Sequence, residues 1–358
     1  MIINSKLYSD EYPLKDELKD IFYNNWIFFC FLSEFNNTNV INRKIGDLPI
    51  FLYKYENNLK GYFNICPHRG AILVNNNQYQ GSSKTLLCPY HSWAFDLNTG
   101  SATNVKNEEL QNHNCTELKS INVDTIGNFV FINISKSTQK TLCEYLTNNV
   151  VEELILASEI LDFCKINSKN IIHECNWKHI IENVIDNKHC GPVHKETLAK
   201  IGFCKNKPKT DLFDNHSQFI IDPGSLDGAK KRKRLLKMLY NEENLVDYYK
   251  HILIFPNLTL SIFEGVHYTI GFVNPISHLK SNYETYYLRP FIKDENLSNA
   301  IEISHVETAI DIFSEDVVML NSLSDNLHKA NFTGELYKDE IRINHFMLVY
   351  NNTINKHV

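Results

Sequence analysis

Two short stretches of this sequence hold side chains that bind metal. Cys66-Pro67-His68-Arg69-Gly70 and Cys88-Pro89-Tyr90-His91-Ser92-Trp93 each pair a cysteine with a histidine, and 19 residues separate His68 from Cys88. The proline after each cysteine fixes its own φ and removes a donor, so each loop is stiffened where ligands must be aimed. A C2H2 zinc finger groups two cysteines on one knuckle and two histidines on a helix, which is a different order. Alternating Cys/His knuckles let two thiolates hold one iron and two neutral imidazoles hold the other. In that [2Fe–2S] arrangement, His in place of Cys raises the potential relative to an all-Cys cluster. Cys66, His68, Cys88 and His91 are the expected cluster ligands.

A second constellation runs from Glu182 to His194, as Glu182-Asn183-Val184-Ile185-Asp186-Asn187-Lys188-His189-Cys190-Gly191-Pro192-Val193-His194. Asp186 and His189 stand at i and i+3 and share a helix face. His189 and His194 are five apart and would not converge on a regular helix. Gly191-Pro192 between them is expected to break the helix and turn His194 back toward a metal. Two imidazoles with one carboxylate from elsewhere make the facial triad of non-haem Fe(II) oxygenases, which leaves coordination positions open. Glu307, Asp311, Glu315, Asp316 and Asp325 are all candidates for the third ligand, and spacing does not choose among them. A cluster that stores single electrons beside such an iron points to O2 chemistry.

The elements that must position these groups are legible in outline. The first 40 residues read as a helical start, with Leu14, Leu18, Ile21 and Phe22 at helical spacing after Pro13. From Ile41 the texture turns to short apolar runs broken by Gly, Asn and Pro: Leu48 to Tyr55, Gly61 to Ile65, Thr85 to Cys88 and Asn128 to Ile134. Thr141 to Leu161 returns to helical periodicity, and a helix is expected from Trp177 to Cys190. The Lys-rich stretch from Lys205 to Lys237 reads as a solvated loop or helix. Strands are expected near His251 to Ser261, Val266 to Asn274 and Tyr283 to Pro290, then a helix from Ser298 to His328 and a last strand from Ile341 to Tyr350.

The 358 residues suit about two domains at roughly 150 residues each. Hydrophobic residues at 43% and charged residues at 22% exclude a disordered or collagen-like chain. A net charge of −6 argues against a partner that depends on phosphate neutralisation, so no nucleic acid is expected. Apolar runs such as Trp26 to Leu32 are far short of the roughly 20 residues that span a bilayer, and Met1 to Lys6 lack the basic and apolar pattern of a secretory signal, so neither a membrane span nor a secretory signal is expected. Nine cysteines, an odd count in a chain large enough to fold unaided, suggest a reducing, cytoplasmic setting with no disulfides.

With these motifs on the page, the sequence resembles the oxygenase (α) subunit of the Rieske non-haem iron oxygenases, the ring-hydroxylating and demethylating family. The likeness extends over nearly the whole chain. It includes Tyr8-Ser9 and Ile21-Phe22 leading to Trp26, the two Cys/His knuckles, Asn176-Trp177-Lys178 through His194 and Thr197-Leu198, Phe255-Pro256-Asn257-Leu258, and Glu315-Asp316-Val317-Val318. The resemblance implies an α+β chain. An all-β Rieske domain (41–140) is inserted into a catalytic domain (141–358), whose curved antiparallel sheet grips a long helix, and residues 1–40 pack with the catalytic domain. It implies a Rieske [2Fe–2S] cluster and a mononuclear Fe(II), and carries Asp316 over as the third iron ligand beside His189 and His194. Asp186 matches a carboxylate that bridges His189 of one subunit to His68 or His91 of a neighbour in a head-to-tail homotrimer, sometimes with β subunits. Asn183 matches a polar residue near the iron.

The implied activity uses O2 and electrons from an NAD(P)H-dependent flavin reductase, with or without a ferredoxin, to hydroxylate or oxidatively demethylate a small organic substrate. The alternatives are cis-dihydroxylation of an aromatic ring, a non-catalytic Rieske electron-transfer or partner subunit, and a zinc-structured binding module. Three features depart from the family pattern: Ser92 stands where Gly is common, Lys188 where Tyr commonly precedes the first histidine, and the 19-residue spacing is slightly long. Cys190 after His189 resembles members acting on methylated amines, whereas Asp186 is more typical of ring hydroxylators. As a residue, Cys190 is expected simply to pack.

Overall fold

The computed structural model describes residues 2–104, 116–135, 140–200, 202–205, 207–222, 229–292, 295–327 and 333–354. The chain divides into two compact units, one formed by Phe22–Tyr145 and the other by Met1–Ile21 with Leu146–Val358.

The first unit is a β structure. Its six-stranded antiparallel sheet runs, edge to edge, through Ile27–Phe31, Phe129–Asn133, Ser120–Ile126, Asn58–Phe63, Leu48–Tyr55 and Val40–Ile45. A four-stranded sheet follows from Val74–Asn75, Gln78–Ser82, Thr85–Leu87 and Ala94–Asp96. The split of the first 40 residues differs from expectation. Residues 1–21 belong with the catalytic unit, whereas Ile27–Phe31 is a strand of the β unit, every residue of it buried. Its Phe28 and Phe31 pack on Phe129 and Phe131 of the neighbouring strand, so burial of four aromatic rings decides its place.

The second unit is built on a seven-stranded antiparallel sheet in the order Asn167–His173, Lys280–Leu288, His267–Ser277, Leu258–Phe263, Tyr249–Ile254, His216–Ile221 and Lys209–Phe213. Glu295–Leu327 is a 33-residue helix against this sheet. The expected helix ending at His328 matches it to Leu327, with His328 outside the described residues. The expected strand from His251 to Ser261 is two strands, and Phe255-Pro256 makes the turn between them rather than lying in a strand. The Lys-rich stretch carries a hairpin, Lys209–Phe213 with His216–Ile221, and a helix, Ala229–Leu239. Residues 206 and 223–228 of that stretch lie outside the described residues. The last expected strand is instead a helix, Ile341–Ile354. Ile343, Phe346, Met347 and Tyr350 recur at i, i+3, i+4 and i+7 and are all buried, so the helical period outweighs the β-branched look of the run.

A buried polar network ties the start of the chain to the catalytic unit. Glu17 accepts from Trp177 Nε1 (2.7 Å) and the Tyr350 hydroxyl (2.7 Å) and pairs with Lys178. The Tyr8 hydroxyl donates to Glu182 (2.6 Å), and its ring stacks on His179. Wholly buried charges are tolerated only when paired and hydrogen-bonded, which this network achieves.

Candidate cluster and iron centres

The two Cys/His knuckles are copies of one turn. Cys66 N–H donates to Ala71 O (2.8 Å) and Gly70 N–H to Cys66 O (2.9 Å); Cys88 N–H donates to Trp93 O (2.8 Å) and Ser92 N–H to Cys88 O (2.9 Å). In each, the residue four past the cysteine is left-handed: Gly70 at φ 76 and Ser92 at φ 58. This explains the preference for glycine there, which Ser92 forgoes. Two asparagines that the motif search did not single out fix the loops. Asn64 accepts from Leu73 and Val74 N–H and donates to Val74 O, all buried. Asn104 accepts from Ala94 N–H and donates to Ser92 O, both at 2.7 Å.

The knuckles sort the four side chains by type. Cys66 and Cys88 are buried and hydrogen-bonded to each other, and burial followed by the neighbouring thiol pushes Cys66 up against the pull of backbone N–H groups. His68 and His91 lie together with ring centroids 4.8 Å apart, His68 flat against Trp93 at 4.7 Å. Two thiols beside two imidazoles are the donor set of a Rieske [2Fe–2S] cluster. His91 is exposed, so the imidazole side faces outward.

In the catalytic unit the helix that leads to the iron motif is shorter than expected. Trp177–Ile185 is capped by the Asn176 side chain and ends at Asp186, whose backbone is extended. A second helix of four residues, Cys190–Val193, follows, with His189 at its start and His194 at its end. The break therefore lies at Asp186 to Lys188, ahead of His189, and not at Gly191-Pro192. Pro192 sits in the first turn of the short helix, where its missing N–H would have had no intrahelical partner.

His189, His194 and Asp316 converge, with their ligand atoms all within 4.8 Å of one another. The two Nε2 atoms are 3.1 Å apart, and Asp316 Oδ1 lies 3.3 Å from that of His194 and 3.6 Å from that of His189. Each ring is braced from behind. His189 Nδ1 meets Asp186 Oδ2 at 3.1 Å, and His194 Nδ1 meets Glu315 Oε2 at 2.9 Å. With the Nδ1 proton donated to a carboxylate, the lone pair of each ring is left on Nε2. Two Nε2 lone pairs thus face a buried carboxylate oxygen that has no hydrogen-bond partner. This convergence is repulsive unless a cation occupies it, so the residues fit the mononuclear iron. Asn183 hydrogen-bonds Asp316; burial raises the Asp316 pKa against His194, Asn183 and His189. Asp186 goes the other way: burial opposes its ionisation, but hydrogen bonds from the His189 side chain and from the Lys188 and His189 N–H groups hold it below the usual carboxylate range.

Of the five late carboxylates, Asp316 alone joins the two histidines. Glu315 orients His194, and accepts from Thr197 (2.5 Å) and Glu196 N–H (3.3 Å) as well. Glu307, Asp311 and Asp325 are not among the residues that line the cavity. Sequence reasoning missed the brace, although a carboxylate directly before the ligand was its available signal. Lys188 contacts Asp339 (2.5 Å) and lies over Tyr337. Cys190 overturns the expectation of simple packing and of no disulfides: it is bonded to Cys204. The short helix and the turn at Phe203–Lys205 are packed together there, with Phe203, Phe219 and Ile221 around the bridge.

The iron position opens into a cavity of about 120 Å³ walled by Phe219, Tyr283, Ile312 and Phe313. Tyr283 crosses the backbone of Gly271, where a Cβ would stand 2.3 Å from its hydroxyl, so only glycine admits the ring. A second chamber of about 310 Å³ shares Leu198, Phe203, Tyr249, Ser261, Thr269, Ile312 and Phe313 with the first.

A Cys2His2 knuckle pair in one unit and a convergent 2-His-1-carboxylate set beside a cavity in the other are the donor sets of the Rieske-type non-haem iron oxygenase class. Comparison with known proteins makes this particular. Residues 162–356 match the ring hydroxylating alpha subunit (catalytic domain) and residues 25–118 the Rieske [2Fe-2S] domain. The chain belongs to the ring-hydroxylating α-subunit family.

Among curated relatives, the carnitine monooxygenase oxygenase subunit of Escherichia coli K12 is 28% identical over 197 residues, 54% of this chain and 52% of that protein. The 2-halobenzoate 1,2-dioxygenase large subunit of Burkholderia cepacia is 25% identical over 338 residues, 82% of this chain and 70% of that protein. The chain spans about half the length of the first of these and of the carnitine monooxygenase oxygenase subunit of Acinetobacter pittii. Among solved structures, a quaternary ammonium Rieske monooxygenase in complex with L-carnitine superposes with a TM-score of 0.72 at 19% identity, covering 98% of this chain and 94% of that one. Naphthalene 1,2-dioxygenase from Rhodococcus sp. superposes with a TM-score of 0.75 at 16% identity, covering 99% and 94%. These likenesses establish the fold. No helix among the described residues is long and apolar enough to cross a membrane.

Proposed function

We propose that this chain is the oxygenase subunit of a system that hydroxylates a C–H bond of a small organic substrate, with oxidative demethylation where that carbon is attached to N or O. The observation that carries this reading is the triad of His189, His194 and Asp316 at the mouth of an apolar cavity, each imidazole braced by its own carboxylate. Bound iron supplies O2 activation, and the cluster supplies electrons singly. The protein's own part is geometric. Asp186 and Glu315 keep the protons on Nδ1, Asn183 orients Asp316, and Phe219, Ile312 and Phe313 exclude water from the reacting carbon. Hydroxylation of an N-methyl carbon leaves a hemiaminal that breaks its C–N bond to formaldehyde and the secondary amine. One O2 and two electrons from NAD(P)H are consumed, and the second oxygen atom leaves as water.

Cys66, Cys88, His68 and His91 hold the cluster in this reading. In a homotrimer Asp186 would link His189 to His68 or His91 of a neighbouring copy, and a flavin reductase, alone or through a ferredoxin, would be the source of electrons. Support comes from the exposure of His91 and from Asp186, 17% exposed and in contact with His189 Nδ1. The complete iron triad weighs against a pure electron carrier or a zinc module. The relative that spans 82% of this chain is a 1,2-dioxygenase, which keeps cis-dihydroxylation as a second reading. Anaerobic purification, with sulfide and iron quantified, and then substrate-dependent NADH oxidation with product identification, tests all of these. Acid-labile sulfide with a third iron per chain and a singly hydroxylated or demethylated product is expected. A cis-diol selects the second reading, and a colourless, zinc-loaded protein overturns both.

A further inference from the structure

The outer chamber differs chemically from the iron chamber it adjoins. Among the described residues that line it there is no Lys, Arg, Asp or Glu. Its polar groups are hydroxyls and two imidazoles. His267 and His305 face each other with ring centroids 4.5 Å apart, and His305 Nε2 lies 3.2 Å from Thr269 Oγ1. The remaining wall is apolar, chiefly Phe263, Phe313 and Ile312.

Two facts fix the charge of His305. Burial, then the facing His267, then Arg289 hold His305 well below the usual imidazole range. The other groups against its ring are Tyr287, edge-on at 5.4 Å, and Thr269; Arg289 is itself occupied by Glu302 at 3.4 Å. None of these supplies a full negative charge to the ring, so His305 stays neutral near pH 7. A neutral imidazole donates through one nitrogen and accepts through the other. A carboxylate or sulfonate entering this chamber would lose its water and meet no cation among the lining residues, which disfavours it. An amide, ketone or hydroxyl would find both a donor and acceptors.

We propose that the outer chamber seats the end of the substrate distant from the reacting carbon, and that His267 and His305 select an uncharged hydrogen-bonding group there over an anionic one. The preferred substrates thus carry a methyl or apolar carbon at the iron end and a neutral polar group at the other end. This rests on the oxygenase reading, because it takes the iron chamber as the reacting end.

The test is equilibrium binding, which separates the two claims. The iron-loaded full chain is titrated anaerobically at pH 7.5 with matched amide and acid probes: 4-methoxybenzamide against 4-methoxybenzoate, and N,N-dimethylglycinamide against N,N-dimethylglycine. The amide of at least one pair is expected to bind tenfold or more tightly than its acid. His305→Leu is expected to erase that preference, and His305→Gln, which keeps a donor and an acceptor, to retain most of it. Equal or tighter binding of the acids, no binding by either amide, or a preference unchanged in a folded His305→Leu variant each overturns the proposal. Selective binding without NADH-coupled turnover of any bound probe would leave the chamber assignment standing and count against the oxygenase reading instead.

Discussion

Glu315 and His194 form a pair that is easily mistaken for metal ligation. Glu315 Oε2 lies 2.9 Å from His194 Nδ1, the nitrogen that points away from the convergence, while its chain neighbour Asp316 presents Oδ1 at 3.3 Å to Nε2, the nitrogen that points in. Two adjacent carboxylates on one helix thus address opposite edges of one ring. Asp316→Ala is expected to lose the mononuclear iron and keep the brown cluster, whereas Glu315→Gln is expected to keep three ligands and bind iron roughly 10- to 100-fold more weakly. Iron per chain measured beside acid-labile sulfide distinguishes them. Full iron in Asp316→Ala would return the ligand role to Glu315 or Asp311.

Asp186 stands behind His189 as Glu315 stands behind His194, yet its consequences should differ. Its two oxygens already take the Lys188 and His189 N–H groups at 2.8 and 3.1 Å, so it also sets the extended link between the two short helices. If it carries electrons between copies of the chain, Asp186→Ala will retain both metals and lose nearly all turnover. A single-turnover experiment is the decisive measurement: with cluster and iron both reduced beforehand, the variant's cluster should stay reduced when O2 and substrate are added. Normal cluster oxidation would remove the bridging role.

These assignments show where the sequence is informative. Cys66, His68, Cys88 and His91 stand out in the sequence by their paired spacing, and the structure forms two copies of one turn there, with the cysteines together and the histidines together. The long helix was legible from period, as were the strands near Val266 to Asn274 and Tyr283 to Pro290; the strand that brings Phe219 to the cavity was not, because its Lys-rich surroundings read as a solvated loop or helix. Spacing did not choose Asp316, since five carboxylates share the late segment; the family resemblance pointed to it, and the register of helix against sheet is what brings it to the two histidines. The position of the helix break was illegible for a related reason. Gly191-Pro192 is a local breaker, but the chain had already left the helix at Asp186, where side-chain acceptance of two N–H groups stabilises an extended residue. Local propensity marks candidates, and tertiary partners decide among them.

The equivalence of the two knuckles predicts opposite effects for opposite substitutions. A side chain at Gly70 would meet nothing within 4 Å, so Gly70→Ala carries only the left-handed backbone cost of about 1 kcal/mol. Ser92 bears that cost already, and Ser92→Gly relieves it, less the greater freedom glycine gains on unfolding, for a net gain of under about 1 kcal/mol. Thermal bleaching of the cluster absorbance reads both. The first variant should bleach a few degrees earlier and the second slightly later than the parent. A Ser92→Gly protein that bleaches earlier would mean that the serine side chain supports the loop in another way.

Glu182 lies one position before Asn183 on the helix Trp177–Ile185. Burial raises its pKa to about 7 from 4.5, although the Tyr8 hydroxyl and the charge of Lys178 both work to lower it. Between those two values the folded chain holds a proton that the unfolded chain has released. Native stability should therefore fall as pH rises from about 4.5 to about 7 and level off above that, with the full effect absent at the acid end. The size is roughly 3 kcal/mol at most, since each unit corresponds to about 1.4 kcal/mol. Glu182→Gln keeps an oxygen for the Tyr8 hydroxyl and removes the titration. Urea unfolding of parent and variant should give similar midpoints at pH 4.5 and a clearly higher midpoint for the variant at pH 8. A constant difference across the range would show that Glu182 keeps the same charge state folded and unfolded, and that Lys178 compensates its burial more fully than the Tyr8 contact suggests.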